Sequence, residues 1–147
     1  MKESIVTVFG YGNPGRQDDG LGPALIELLE NEKIPGLRTQ TGFQLNIEDA
    51  YTIADGDSVI FVDASVNCSE PFEFYEIKPS SEIRFTTHSI SPESVLALCN
   101  DLFNSSRRAF MLSIRGYNWE FAEGLSGKAG RNLTEAYEFL ISKLRSL

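Results

Sequence analysis

Hydrophobic residues along this chain follow two patterns. In the first they form short runs that are continuous or alternate with polar residues. In the second an apolar residue recurs at every third or fourth position over a longer stretch. Runs of the first kind predict five β-strands, over residues 4–10, 37–43, 58–64, 72–78 and 109–116. Those of the second kind predict helices that begin near Leu21, Asn46, Ser91 and Asn132. Because strands that alternate with helices form right-handed crossovers, the sequence predicts a three-layer α/β/α sandwich with a mostly parallel sheet of about five strands.

Polar residues predict where several of these elements begin. Ser91 followed by Pro92 is typical of a helix N-terminus, and Asn46 and Asn132 are the predicted N-caps of two other helices. Residues 72–78 alternate apolar with polar or acidic side chains, which favours a strand at the edge of the sheet with one face in water.

Composition and charge narrow the class of protein. The 147 residues are about the size of one domain, so we predict a single domain over 1–147. A net charge of −8 without a run of Lys or Arg argues against a nucleic-acid partner. No apolar run is long enough to span a bilayer and the first residues do not resemble a signal peptide, so we expect a cytoplasmic protein without a membrane partner. Cys68 and Cys99 have no metal-ligand spacing and are expected to be reduced.

The loop after the first strand carries a glycine pattern and an acidic pair. Its residues Gly10-Tyr11-Gly12-Asn13-Pro14-Gly15 match the fingerprint of dinucleotide-binding proteins. In that fingerprint the third glycine lies inside the helix, whereas the helical pattern here begins only near Leu21. The second strand also lacks the terminal acidic residue that would hold a ribose. Nucleotide binding is therefore the less favoured alternative.

A phospho-receiver domain is a second alternative, because it also has acids after its first strand and an aspartate at the end of its third. In receivers the acid pair follows the strand directly, but here Asp19 comes nine residues after Gly10. The lysine that receivers place after their fifth strand is Arg115 in this chain. Both alternatives would make the protein an α/β binding module and not an enzyme.

Three polar residues are the best candidates for a functional site. Asp19 follows the first strand, Asp63 ends the third, and His88 precedes a predicted helix. Ligands bind beyond the carboxyl ends of parallel strands where the strand order reverses, commonly between the first and third strands. Two carboxylates and an imidazole at this edge of the sheet suit zinc, nickel or iron as metal ligands. The same three groups could act in acid–base catalysis without a metal.

These residues and their surroundings resemble the hydrogenase maturation endopeptidases. The resemblance rests on GYGNPGRQDDGLGP, FVDAS and THSISPESVLAL, and it extends over nearly the whole chain through TGFQLNIEDA and IRGYNWEFAEGLS. The last two segments are most similar to the branch that serves cytoplasmic NAD-reducing or bidirectional [NiFe] hydrogenases.

The resemblance implies an endopeptidase that removes the C-terminal extension of a [NiFe] hydrogenase large-subunit precursor after nickel insertion. It also implies that Asp19, Asp63 and His88 are both the catalytic residues and the ligands of nickel that the precursor supplies. Many members have Glu at the first position, and Asp19 is one methylene shorter. The residues leave open whether one of these three or Asp18 is the general base.

Overall fold

The computed structural model of the protein describes residues 4–80, 90–104 and 107–146. Five strands and four helices follow one another within this part of the chain: β1 (Val6–Tyr11), α1 (Leu21–Leu29), β2 (Leu37–Gly42), α2 (Asp49–Ala54), β3 (Ser58–Ser65), β4 (Phe72–Ile77), α3 (Pro92–Phe103), β5 (Arg108–Arg115) and α4 (Gly127–Arg145). A short 3₁₀ helix, Gln17–Gly20, precedes α1. The α/β class predicted from the sequence is confirmed.

The strands form one sheet in the order β2-β1-β3-β5-β4. β1 pairs in parallel with both β2 and β3, and β3 pairs in parallel with β5. β4 runs antiparallel along β5 at the edge, as its alternating pattern predicted. The chain moves from β1 outward to β2 and then returns to the other side of β1 with β3, so the strand order reverses between β1 and β3.

The two faces of the sheet are covered by different helices. α1 and α4 pack on one face, where Val8, Val62 and Leu112 are fully buried. α2 and α3 pack on the other face against side chains that include Phe61 and Val59. Because successive residues of β3 face opposite cores, the strand needs an uninterrupted apolar sequence, which is the pattern that predicted it.

Several predicted boundaries and faces differ from the structure. α4 begins at Gly127 with Ser126 as its N-cap, and Asn132 is not a cap but a buried residue inside the helix. The Asn132 amide donates to the Arg115 carbonyl and the Tyr117 hydroxyl, which accounts for its burial. α2 begins at Asp49, and the exposed Tyr51 does not belong to its inner face.

Both cysteines are buried as free thiols, in agreement with the sequence prediction. None of the helices in the described residues is long and apolar enough to cross a membrane.

Candidate functional site

The candidate site lies at the carboxyl edge of the sheet, between β1 and β3. Here α1 packs directly on the strand ends: a Cβ on Gly22 would lie 2.6 Å from the Tyr11 carbonyl oxygen and 2.7 Å from that of Val62. Only glycine fits at this position without moving backbone. Asp63 follows Val62 on β3, so its carboxyl group lies where the strand emerges from under α1.

The loop between β1 and α1 holds Asp19 near this edge. Gly12 has a φ of +144°, and a Cβ there would lie 1.9 Å from the Asp19 carbonyl oxygen. The Asn13 backbone N–H donates to Asp19 Oδ2 at 2.8 Å, which fixes the carboxylate. The glycine thus permits the turn that brings residues 12 and 19 together.

Asp63 lies in an environment that disfavours its charge. Burial raises the pKa of Asp63 to about 7, the hydrogen bond from Ala64 N–H at 2.8 Å acts in the opposite direction, and the charge of Asp19 raises it further. The structure therefore brings these two predicted carboxylates near enough to influence each other. A carboxyl group with a pKa about 7 changes protonation at neutral pH, which is a common property of functional sites.

Asp18, the neighbour of Asp19 in the sequence, has a different role. It is fully buried and accepts hydrogen bonds from the backbone N–H groups of Tyr117, Asn118 and Ser126 and from the Ser126 hydroxyl, at 2.7 to 2.9 Å. Burial alone would raise the pKa of Asp18, but these hydrogen bonds outweigh it and lower the pKa from its ordinary value. Since its oxygens are occupied by donors, Asp18 is not placed to act as a general base.

The third predicted residue, His88, lies outside the described residues. Within 4–80, 90–104 and 107–146 there is no group of three His, Cys, Asp or Glu side chains placed to hold a metal ion. The structure thus brings together Asp19 and Asp63, while the position of His88 in the set is an expectation from the sequence.

Two residues of this edge were missed by the sequence reasoning. Burial raises the pKa of Tyr11 well above its ordinary value, and the charges of Asp63 and Glu93 raise it further. Tyr11 is therefore a neutral phenol beside the carboxylates, able to donate a hydrogen bond. Its position as the last residue of β1, at the carboxyl end of a central strand, is the sequence signal for it. Glu93 lies in the first turn of α3 and was read only as part of a helix start.

An apolar groove of about 300 Å³ lies beside the loop that carries Asp19. Its walls come from that loop and from the end of β2, and they comprise Gly12, Pro14, Pro23, Thr41, Gly42 and Phe43. Phe43 is 74% exposed although it is a large apolar side chain. The segment after β2 therefore borders the loop that carries Asp19.

The geometry at this edge does not suit a dinucleotide. The pyrophosphate of such a ligand needs space between the strand end and the helix N-terminus. Here the 3₁₀ helix, Gln17–Gly20, separates the glycines of the fingerprint from the N-terminus of α1. Arg115, at the receiver lysine position, donates to the Cys68 carbonyl and stacks on Tyr117, so it is engaged elsewhere.

No protein-family model matches the sequence, and no curated protein matches it.

Solved structures, by contrast, match along almost the whole chain. The hydrogenase maturating endopeptidase HybD from E. coli superimposes with a TM-score of 0.76 at 21% identity, over 97% of this chain and 93% of its own. The [NiFe] hydrogenase maturation protease HycI from Thermococcus kodakarensis KOD1 gives 0.75 at 22% identity, also over 97% and 93%. A hydrogenase 2 maturation peptidase from Thaumarchaeota archaeon SCGC_AB-539-E09 gives 0.71 at 20% identity, over 96% and 98%. This chain therefore has the fold of proteins that are named hydrogenase maturation proteases.

Proposed function

We propose that the protein is an endopeptidase that removes the C-terminal extension of a [NiFe] hydrogenase large-subunit precursor. The observation that supports this proposal is that Asp19 and Asp63, which belong to separate elements, lie near each other where the strand order reverses between β1 and β3. Independent caps or turn residues have no reason to lie near enough for the charge of one to raise the pKa of the other. The fold shared with the maturation proteases supports the same function.

In this proposal the metal is part of the substrate. Asp19, Asp63 and His88 would contact the nickel of the precursor, since carboxylate and imidazole groups are suitable donors for it. These contacts would distinguish the nickel-loaded precursor from the nickel-free precursor and would position the nearby peptide bond. Hydrolysis then breaks the C–N bond, adds the water oxygen to the carbonyl carbon and leaves a proton on the amine.

Asp63 is the best candidate for the group that moves this proton. Its pKa of about 7 in the free protein lies near neutral pH, where a general base is most effective. Asp18 is unsuitable because Tyr117, Asn118 and Ser126 occupy its oxygens. Tyr11, as a neutral phenol beside Asp63, could donate a hydrogen bond to the substrate.

The groove between Pro14 and Phe43 would hold the C-terminal extension in an extended form. One of its lining residues, Gly12, lies against the Asp19 backbone, and its apolar walls suit the side chains of an unfolded segment. We assign the substrate to a cytoplasmic NAD-reducing or bidirectional hydrogenase, on the similarity of TGFQLNIEDA and IRGYNWEFAEGLS to that branch. This assignment also implies that the protein acts in the cytoplasm.

The test of this function is the mass of the precursor. The purified protein is incubated with the large-subunit precursor of its source organism, with and without inserted nickel, and intact masses are measured. We expect the nickel-loaded precursor to lose the mass of its C-terminal extension and the nickel-free precursor to stay unchanged. A nickel-loaded precursor that kept its full mass would refute the proposed activity.

Asp19→Asn and His88→Ala should each slow processing roughly tenfold to a hundredfold, because a substrate held about 1 Å out of place loses this much rate. The measurement is the initial rate of mass loss with the nickel-loaded precursor. Asp101→Asn is the matched control, since this aspartate is exposed on α3 and should leave the rate unchanged. If both site variants processed the precursor at the wild-type rate, Asp19 and His88 would not belong to the active site.

A further inference from the structure

The segment that connects β5 to α4 is held as a fixed strap against the loop that carries Asp19. We define the strap as residues 117–126, with the sequence YNWEFAEGLS. It forms an irregular stretch on the surface and contacts the loop that carries Asp19. Long irregular surface segments of this kind are usually mobile unless something holds them.

Three consecutive residues of the loop hold the strap. The Asp18 carboxylate binds both ends of it, through Tyr117 and Asn118 on one side and Ser126 on the other. Gln17 N–H donates to the Ala122 carbonyl at 2.9 Å, and the Gln17 side chain accepts from Glu120 N–H at 3.1 Å.

Arg16 completes the attachment with its guanidinium, which donates to the Trp119 carbonyl at 3.2 Å. The strap is therefore attached at both ends and through Trp119, Glu120 and Ala122 to the loop that positions Asp19.

This attachment presents one large apolar side chain to solvent. Phe121 is 86% exposed, and the Arg16 guanidinium lies 5.1 Å from the centre of its ring. A single exposed aromatic residue is common on protein surfaces. Phe121 differs because its backbone is fixed by neighbours on both sides, so that a partner would bind it at little cost in conformational entropy.

The charges around Phe121 indicate what kind of surface it would bind. Two acids of the strap, Glu120 and Glu123, flank it against one base, the Arg16 guanidinium over its ring, so the local charge is net negative, as is the chain as a whole at −8. An apolar anchor with an acidic rim complements an apolar pocket with a basic rim.

We propose, resting on the peptidase function above, that the strap is a docking surface for the folded body of the precursor. Phe121 is its anchor, and the groove beside Phe43 takes only the C-terminal extension. Docking of the body on the strap places the extension at Asp19 and Asp63, because the loop that holds the strap also carries Asp19. The substrate protein is thus recognised at two separate places.

The test measures binding of two forms of the nickel-free precursor, one complete and one made without its C-terminal extension. Phe121→Ala should weaken binding of both forms by the same factor, roughly tenfold to thirtyfold, as expected for loss of an interface anchor. Phe43→Ala, an equally exposed aromatic in the groove, should weaken binding of the complete form alone. Leu102→Ala, an exposed apolar residue toward the far end of α3, should bind both forms like the wild type.

The acidic rim gives a second readout. Binding of the wild type should weaken as salt is raised, and the Glu120→Lys, Glu123→Lys double variant should bind more weakly with a smaller salt dependence.

Three results would overturn the docking proposal. In the first, Phe121→Ala binds both precursor forms with wild-type affinity. In the second, Phe121→Ala loses affinity for the complete form only. In the third, the wild-type protein self-associates and Phe121→Ala does not. The first excludes the strap, the second assigns it to the extension, and the third makes its partner a second copy of this chain. Because binding is measured without cleavage, a protein that binds the precursor through Phe121 but never shortens it would refute only the peptidase function.

Discussion

Asp63→Asn is expected to abolish processing and, at the same time, to make the nickel-free protein more stable at neutral and alkaline pH. Loss of a group that transfers a proton slows catalysis about 10²- to 10⁴-fold. The amide is nearly isosteric and its oxygen can still accept the Ala64 N–H hydrogen bond, so the fold has no reason to change. The variant therefore separates a catalytic defect from a structural one.

The gain in stability follows from the raised pKa of Asp63. Its folded-state pKa, about 7, exceeds the value of about 3.9 expected in the unfolded chain. Protonation thus favours the folded state, and this contribution is complete below pH 4 and is lost as the pH rises to 7. Above pH 7 the wild type carries a charge that the asparagine variant lacks, and the difference in free energy of unfolding should be on the order of 4 kcal/mol.

Denaturant unfolding between pH 4 and pH 8, with a chelator present, measures this difference. The two proteins should be equally stable near pH 4 and should diverge as the pH rises. Parallel stability curves would contradict the raised pKa of Asp63. Processing within threefold of the wild-type rate would contradict its place in the active site.

The position of Asp63 could be predicted because its strand is buried on both faces. Ser58–Ser65 lies in the middle of the sheet, so its apolar run is continuous, and Asp63 is the first charged residue after that run, two residues before the strand ends. The same reasoning predicted β1. Central parallel strands leave the clearest signal in a sequence, and the site lies at the ends of two of them.

The different roles of Asp18 and Asp19 could not be predicted in the same way. Successive residues of a 3₁₀ helix point roughly 120° apart, so one aspartate faces the interior and the other faces the edge of the sheet. A sequence pattern does not show which of the two is which. The partners of Asp18 lie about a hundred residues later in the chain, in a strap without periodic apolar residues.

The start of α4 was missed for a local reason. Gly127 and Gly130 occupy its first turns, and glycine is a poor helix former, so the segment looked like a loop. Ser126 compensates because its hydroxyl caps Ala129 N–H while donating to Asp18. One buried carboxylate therefore links the start of α4, the strap and the loop that carries Asp19.

Asp18→Asn is expected to lower the free energy of unfolding at pH 7 by roughly 2 to 4 kcal/mol, since hydrogen bonds to a buried charge are strong and unpaired buried donors are costly. The amide can replace only one carboxylate oxygen, so its NH₂ group would face either Ser126 N–H, the donor to Oδ1, or the three donors to Oδ2. Urea denaturation of the variant and the wild type measures the change. The exposed Asp101→Asn should differ from the wild type by less than about 0.5 kcal/mol.

The pH dependence distinguishes this effect from a general loss of packing. Because the pKa of Asp18 is lowered on folding, its carboxylate stabilises the protein above the ordinary aspartate pKa, about 3.9, and that contribution is lost as the pH falls through the lower folded-state value. The gap between wild type and Asp18→Asn should therefore be constant from pH 5 to pH 8 and narrow below pH 4. A gap that stayed the same at pH 3, or a variant as stable as the wild type at pH 7, would show that the strap and α4 do not depend on the Asp18 charge.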